Sequence, residues 1–387
     1  MKNVLISAGD ASGELHAAAL AEELRRREPG VRLFGLGGPA MEKAGVELIV
    51  PQHELAVGGL VEVLVDLPRI VKAWRRMTRA LVESRPDLVI LVDSPDFNLP
   101  FAKRARKLGV PVLYYVSPQV WAWRRGRIRR IAARVDRLAV IFPFEPAVYA
   151  GTGLAVDFVG HPLLDRLAPL AAATDSASAR RALGLDAGRP LVLLLPGSRR
   201  NEVKSTLPLQ LAAATALHAR DPRVGFVIAV APSIARDTID EALARVRLPS
   251  LLDVSVIEGR THEAILAADV ALAKPGTVTL EVALLGTPLV VTTRVNALTA
   301  WLIRRLVRVS SYTMPNLIAG RAVVPEFLQE DAEPARIAEA LLALLTGPAR
   351  EAQLEALASL REALGGGGAA ARAAGIAQEM ALGAARS

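Results

Sequence analysis

The chain contains no cysteine, which excludes a disulfide framework, a thiol nucleophile and any Cys-based zinc or iron–sulfur site. Aromatic residues make up only 4% of it, too few for an extended base-stacking platform. No uncharged apolar run reaches the ~18 residues of a membrane span. The first residues, Met1-Lys2-Asn3-Val4-Leu5-Ile6-Ser7, hold an apolar stretch far shorter than a signal-peptide core. A cytoplasmic protein is the expectation. The five histidines include no pair at metal-ligand spacing, and no Asp-x-Asp clamp occurs, so no metal or other cofactor is expected.

What is present is a long, apolar, basic chain. Its 387 residues exceed one ordinary core, and 52% hydrophobic against 22% charged residues allow substantial burial, so two domains are expected. The net charge of +8 favours anionic ligands but does not separate nucleic acid from acidic lipid or sugar nucleotide. Apolar runs at 4–7, 32–36, 88–92, 110–116 and 138–141 alternate with helical patterns. A second series follows at 191–195, 225–230, 254–257, 270–273 and 289–292. Such alternation predicts α/β architecture: two doubly wound, Rossmann-like domains facing each other across a cleft. The boundaries read as 1–163, 164–345 and a C-terminal helical segment 346–387, in which Gly365–Gly368 interrupts the helix pattern and which either packs back on the first domain or is exchanged in a dimer.

Ligands in such sheets sit at the carboxyl ends of the strands. After the first strand comes Ser7-Ala8-Gly9-Asp10-Ala11-Ser12-Gly13-Glu14, a small-residue turn opening a helix. It suits an anion or sugar hydroxyl, and equally a plain turn capped by Ser12. After the strand 88–92 comes Asp93-Ser94-Pro95-Asp96-Phe97-Asn98. Asp93 is the first polar residue past a buried strand, a setting that raises a carboxyl pKa and suits a general base; Asp96 reads better as a helix cap. Trp121 and Trp123 stand in the next loop, either to meet a sugar or acyl chain or as a hydrophobic plug. Arg124, Arg125, Arg127, Arg129 and Arg130 follow, a solvated face or a contact for anionic headgroups.

In the second half, Gly197, Ser198 and Arg199 end a strand and open a helix, offering N–H groups, a hydroxyl and a guanidinium to a diphosphate. Gly276 and Thr277 open another helix, and Glu281 lies one turn in, where its carboxylate can accept ribose hydroxyls. Together these describe a nucleoside-diphosphate site. Residues 57–71 are unusually apolar. Val61, Val63, Leu64, Leu67, Ile70 and Val71 spread over most of a helical arc, with Pro68 expected to break it into two short helices. They form either core or a surface resting on a bilayer. Residues 301–308 are a second apolar and basic candidate.

Ser12-Gly13, Asp93-Ser94-Pro95-Asp96-Phe97-Asn98, Tyr115-Val116-Ser117-Pro118-Gln119-Val120-Trp121-Ala122-Trp123, Gly160-His161-Pro162, Leu195-Pro196-Gly197-Ser198-Arg199 and Pro315-Asn316-Leu317-Ile318-Ala319-Gly320 occur in this order. Together they resemble the lipid-A-disaccharide synthase family, bacterial glycosyltransferases of the two-Rossmann (GT-B) type; Pro275 departs from the Ser more usual there. The resemblance implies transfer from UDP-2,3-diacylglucosamine to 2,3-diacylglucosamine 1-phosphate, with inversion, to give a β(1→6) tetraacyl disaccharide 1-phosphate and UDP. It implies a functional role for Asn316, grouped here with the nucleotide-sugar site, and the turn at Ser12 and Gly13 then reads as the acceptor side. It also implies peripheral attachment to inner-membrane lipids and a homodimer by C-terminal exchange. A nonhydrolysing UDP-sugar epimerase shares the architecture but has no use for the apolar surface. A nucleic-acid-binding protein would explain the charge and neither helix start.

Overall fold

The structure, a computed structural model, describes residues 1–55, 67–123, 126–246, 249, 252–295, 305 and 311–384. The chain divides into two compact units, Met1–Pro162 with Gly367–Ser387, and Leu163–Gly366.

The first unit is built on a parallel sheet of seven strands: β1 (Asn3–Ala8), β2 (Arg32–Gly37), β3 (Glu47–Pro51), β4 (Leu88–Val92), β5 (Val112–Tyr115), β6 (Arg137–Val140) and β7 (Ala155–Phe158). Their order is β3-β2-β1-β4-β5-β6-β7, with the strand order switching its winding between β1 and the parallel β4. Every side chain of Leu88–Val92 is buried, as a central strand covered on both faces requires. Leu5, Phe34, Leu91 and Tyr114 pack with Met77 and Phe101 of the covering helices.

The second unit repeats the plan with β8 (Leu191–Leu195), β9 (Gly225–Val230), β10 (Val254–Glu258), β11 (Val270–Ala273), β12 (Leu289–Thr293) and β13 (Glu326–Leu328), ordered β10-β9-β8-β11-β12-β13. Both sheets are therefore doubly wound, as the alternation predicts. The strands that escaped the sequence reading, β3, β7 and β13, all lie at sheet edges. Their residues are mostly half-buried, so none carries the continuous apolar run that marks an interior strand.

The C-terminal boundary lies at Gly366, not at 345. Residues 333–364 are two helices, Pro334–Leu345 and Pro348–Ala363, broken at Gly347 with φ +86°. The second stays with unit two because buried Gln353 joins it to β12: its Oε1 accepts from Leu289 N at 2.7 Å, and its Nε2 donates to Leu289 O and Val323 O, each at 3.1 Å. Only the last helix, Ala369–Ala384, returns to unit one. It packs along the helix Ala11–Arg27 with Ala373, Ala374 and Ala377 buried, while Arg27 donates to Ala371 O at 2.8 Å and Arg137 pairs with Glu379 at 2.7 Å. Small side chains let the helices approach closely, and the guanidinium groups fix their register.

Pro68 lies in the first described turn of the helix Leu67–Ser84, and residues 56–66, where the first of the two expected short helices falls, lie outside the described residues. Val61, Val63 and Leu64 lie outside the described residues, as do Arg124, Arg125 and all of 301–308 except Arg305. Leu67 is 50% and Val71 38% exposed, and Ile70 is half-buried. No helix among the described residues is long and apolar enough to cross a membrane.

Candidate active site

In unit one, the carboxyl ends of β1 and β4 meet. The chain leaves β4 through two consecutive left-handed residues, Asp93 and Ser94, both at φ 44°. Such backbone is strained for residues other than glycine and persists only when its surroundings hold it. Here they do. The Asp93 carbonyl accepts from Asn98 Nδ2 at 2.8 Å and from the Tyr114 hydroxyl. Asn98 is fully buried and also receives the Ser7 hydroxyl at 2.7 Å. Ser94 Oγ donates to Asp10 Oδ2 at 2.5 Å and accepts from Gly9 N at 3.2 Å.

Asp10, rather than Ser12, caps the first helix, with Oδ1 accepting from Gly13 N at 2.7 Å. Ser12 is exposed and Gly13 buried. A Cβ on Gly9 would stand 2.9 Å from Ser94 Oγ, so the glycine is what lets the two turns approach. Burial pushes the Asp93 carboxyl up to about 6, the Asp10 charge adds to this, and a bond from the Ser94 amide opposes it. This is a carboxylate poised to accept a proton near neutral pH.

Asp96 does not cap the following helix. It sits in the first turn and pairs with Arg127 at 2.6 Å, whereas Ser94 holds the cap position. Trp121 is a plug: it is 9% exposed and meets Phe142 and Phe144 edge-on, centroids 6.4 and 5.0 Å away. His161 is buried, its ring centroid 5.2 Å from that of Phe142.

In unit two, the ends of β8 and β11 lie side by side, Leu195 opposite Ala273. Buried Gln210 ties them together, donating to Leu195 O at 3.2 Å and Leu272 O at 2.9 Å. Gly197 adopts φ +124°, and a Cβ there would stand 2.8 Å from the Glu202 side chain. Gly276 begins the helix Thr277–Leu284, with nothing within 4 Å of where its Cβ would be. Around these turns lies a cavity of about 550 Å³ lined by Ser198, Arg199, Lys274, Thr277, His262 and Glu281, among others.

Within that cavity the Glu281 carboxylate faces His262 Nε2 at 3.1 Å and Arg166 at 3.3 Å. Glu202 accepts from Ser198 N at 3.0 Å and Arg199 at 2.9 Å and pairs with Lys274 at 3.2 Å. Burial alone would raise the Glu202 carboxyl; these partners outweigh it and hold the group below its ordinary value. Backbone N–H groups, two cations and a helix start in one hollow make an anion receptor. An acidic side chain one turn deep offers acceptors for neighbouring hydroxyls.

Asn316 is not part of this cavity. It is 4% exposed, and its amide is fully engaged: Oδ1 accepts from Val323 N and Val324 N at 2.7 and 2.8 Å, and Nδ2 donates to Val324 O and Glu326 Oε1, each at 2.9 Å. With both donors and both acceptor directions taken, it holds the segment before β13 in place.

The family model described as lipid-A-disaccharide synthetase matches residues 4–380. The chain belongs to the lipid-A-disaccharide synthase family. The lipid-A-disaccharide synthase of Anaeromyxobacter dehalogenans is 46% identical over 372 residues, covering 96% of this chain and 95% of that protein. That of Geobacter sulfurreducens is 44% identical over 378 residues, 97% of each. Among solved structures, MurG of Acinetobacter baumannii superposes with TM-score 0.60 at 17% identity, over 98% of this chain and 100% of that one. UDP-GlcNAc 2-epimerase of Neisseria meningitidis, bound to UDP-GlcNAc, gives TM-score 0.65 at 16% identity, over 99% and 100%. These likenesses place the fold among GT-B proteins, and membership of the family makes the chain a glycosyltransferase of lipid A biosynthesis.

The family frame leaves four residues that sequence reasoning passed over. They are Asp10, Tyr114, Gln210 and Lys274, of which Asp10, Tyr114 and Lys274 do not stand out by type or spacing. Gln210 alone left a signal, a polar residue on the buried face of the helix Arg200–His218.

Proposed function

We propose that the protein transfers the sugar of UDP-2,3-diacylglucosamine to the 6-hydroxyl of 2,3-diacylglucosamine 1-phosphate, giving the β(1→6) disaccharide 1-phosphate and UDP. Unit two holds the donor. Arg199, Lys274 and the N–H groups at Ser198 and Thr277 receive the diphosphate, Gly197 and Gly276 give it room, and Glu281 takes the ribose. Unit one presents the acceptor beside Ser12 and Gly13.

Asp93 removes the proton of the acceptor hydroxyl as its oxygen attacks the anomeric carbon. The bond from that carbon to the diphosphate oxygen breaks, and its electron pair leaves with UDP. Attack opposite the leaving group inverts the configuration. Cations preset at the diphosphate stabilise the charge that develops there, commonly a large part of the rate enhancement. Leu67 and Val71, exposed on a helix that also carries Arg69, Lys72 and Arg75, support a peripheral seat on anionic lipid, where acylated substrates are found.

The family match over residues 4–380 carries this reading. Purified protein given both substrates in detergent should release one disaccharide 1-phosphate per UDP, seen by mass spectrometry. Epimerisation of a water-soluble UDP-sugar, with no disaccharide formed, would overturn it.

A further inference from the structure

The diphosphate receptor already holds an anion of its own. Glu202 takes Ser198 N, Arg199 and Lys274 on one carboxylate, the same donors that a nucleoside diphosphate requires. Its side chain is only 17% exposed and stands against Gly197 so closely that a Cβ there would touch it. It reaches the site from the first turn of the helix Arg200–His218, while Lys274 reaches it from the end of β11. Two separate elements thus converge on this one carboxylate.

We infer that Glu202 is an internal competitor of the diphosphate, occupying the receptor when it is empty and returning to it as UDP departs. The inference rests on the reading of this cavity as the UDP site. A diphosphate and a carboxylate cannot both take Ser198 N–H, so donor binding must move Glu202 aside and leave its charge near the phosphates. Like charges at this range weaken binding by about tenfold. For a transferase that must shed UDP in every turnover, the same competition speeds product release. The receptor is kept ordered when empty, because the two cations have a partner throughout.

The test is UDP affinity by calorimetry for the unmodified chain, Glu202→Gln and Glu241→Gln. Glu241 pairs with Arg200 at 3.3 Å, does not line the cavity, and controls for loss of one negative charge. Glu202→Gln should bind UDP about tenfold more tightly, with a slower off-rate, and Glu241→Gln should match the unmodified chain. Equal or weaker binding by a folded Glu202→Gln would mean that Glu202 merely positions Arg199 and Lys274, and would overturn the inference alone. Absence of UDP binding by the unmodified chain would overturn the nucleotide reading and the inference together. A crystal of the unmodified chain with UDP gives a check independent of any variant. A phosphate oxygen should stand at Ser198 N with the Glu202 carboxylate displaced beyond hydrogen-bond distance; a carboxylate still on Ser198 N with UDP bound refutes the idea.

Discussion

Consider Asp93→Asn near pH 7.5. In the folded protein the carboxyl titrates at about 6 instead of 3.8 because it is buried and faces Asp10. Below about pH 4 it holds its proton in both folded and unfolded chains, and nothing is lost. As pH rises from about 4 to about 6 the unfolded chain ionises while the folded one keeps its proton, so stability falls across that window and stays lower at neutral pH. A shift of about two pH units corresponds to about 3 kcal/mol. Asn removes the charge but buries an amide in its place, leaving a net gain of roughly 1–2 kcal/mol. It also tolerates the left-handed backbone as Asp does. For a domain of this size that is a melting temperature higher by roughly 2–8 °C. Turnover should meanwhile fall by roughly 10²–10⁴ with loss of the base. Thermal denaturation followed near pH 7.5 and pH 4, beside the disaccharide assay, measures both. The stability gain should be mostly gone at the lower pH. An Asn variant no more stable at neutral pH would refute the placing of a desolvated charge at this turn, and near-normal turnover would remove Asp93 from the mechanism.

Three further expectations concern other residues. Asp10→Asn deletes the like charge facing Asp93, so the acidic limb of the pH–rate profile should move to lower pH; an unmoved limb would separate Asp10 from the base. Asn316→Ala leaves the amides of Val323 and Val324 and the Val324 carbonyl without their partner. Stability should drop by about 2–3 kcal/mol while UDP affinity holds, and weakened UDP binding in a folded variant would restore Asn316 to the ligand site. Leu67→Ser with Val71→Ser alters exposed positions, so the melting temperature should hold while sedimentation with anionic vesicles falls. A lowered melting temperature with unchanged vesicle binding would make these side chains core.

Much of the scaffold could be read from the chain because interior strands of a parallel sheet are apolar on both faces. Runs such as Leu88–Val92 and Leu191–Leu195 admit few other structures. Their ends announce themselves by the first polar or glycine residue, which is how Asp93, Gly197 and Gly276 could be singled out. Asn316 shows the limit. A motif says that a residue matters, and only the structure shows the four short hydrogen bonds its side chain makes. Trp121 likewise reads as a platform or a plug until Phe142 and Phe144 are seen to enclose it.

The chain by itself determined the two sheets, their interior strands and the turns that carry glycine, because hydrophobic period and backbone freedom are local properties. Tertiary structure alone decided the rest. It set which edge strands complete each sheet and brought the last helix back to the first unit. It also placed Asp10 beside Asp93 and Lys274 beside Glu202. Charges distant in sequence acquire their meaning from distance in space, and no pattern along the chain encodes it.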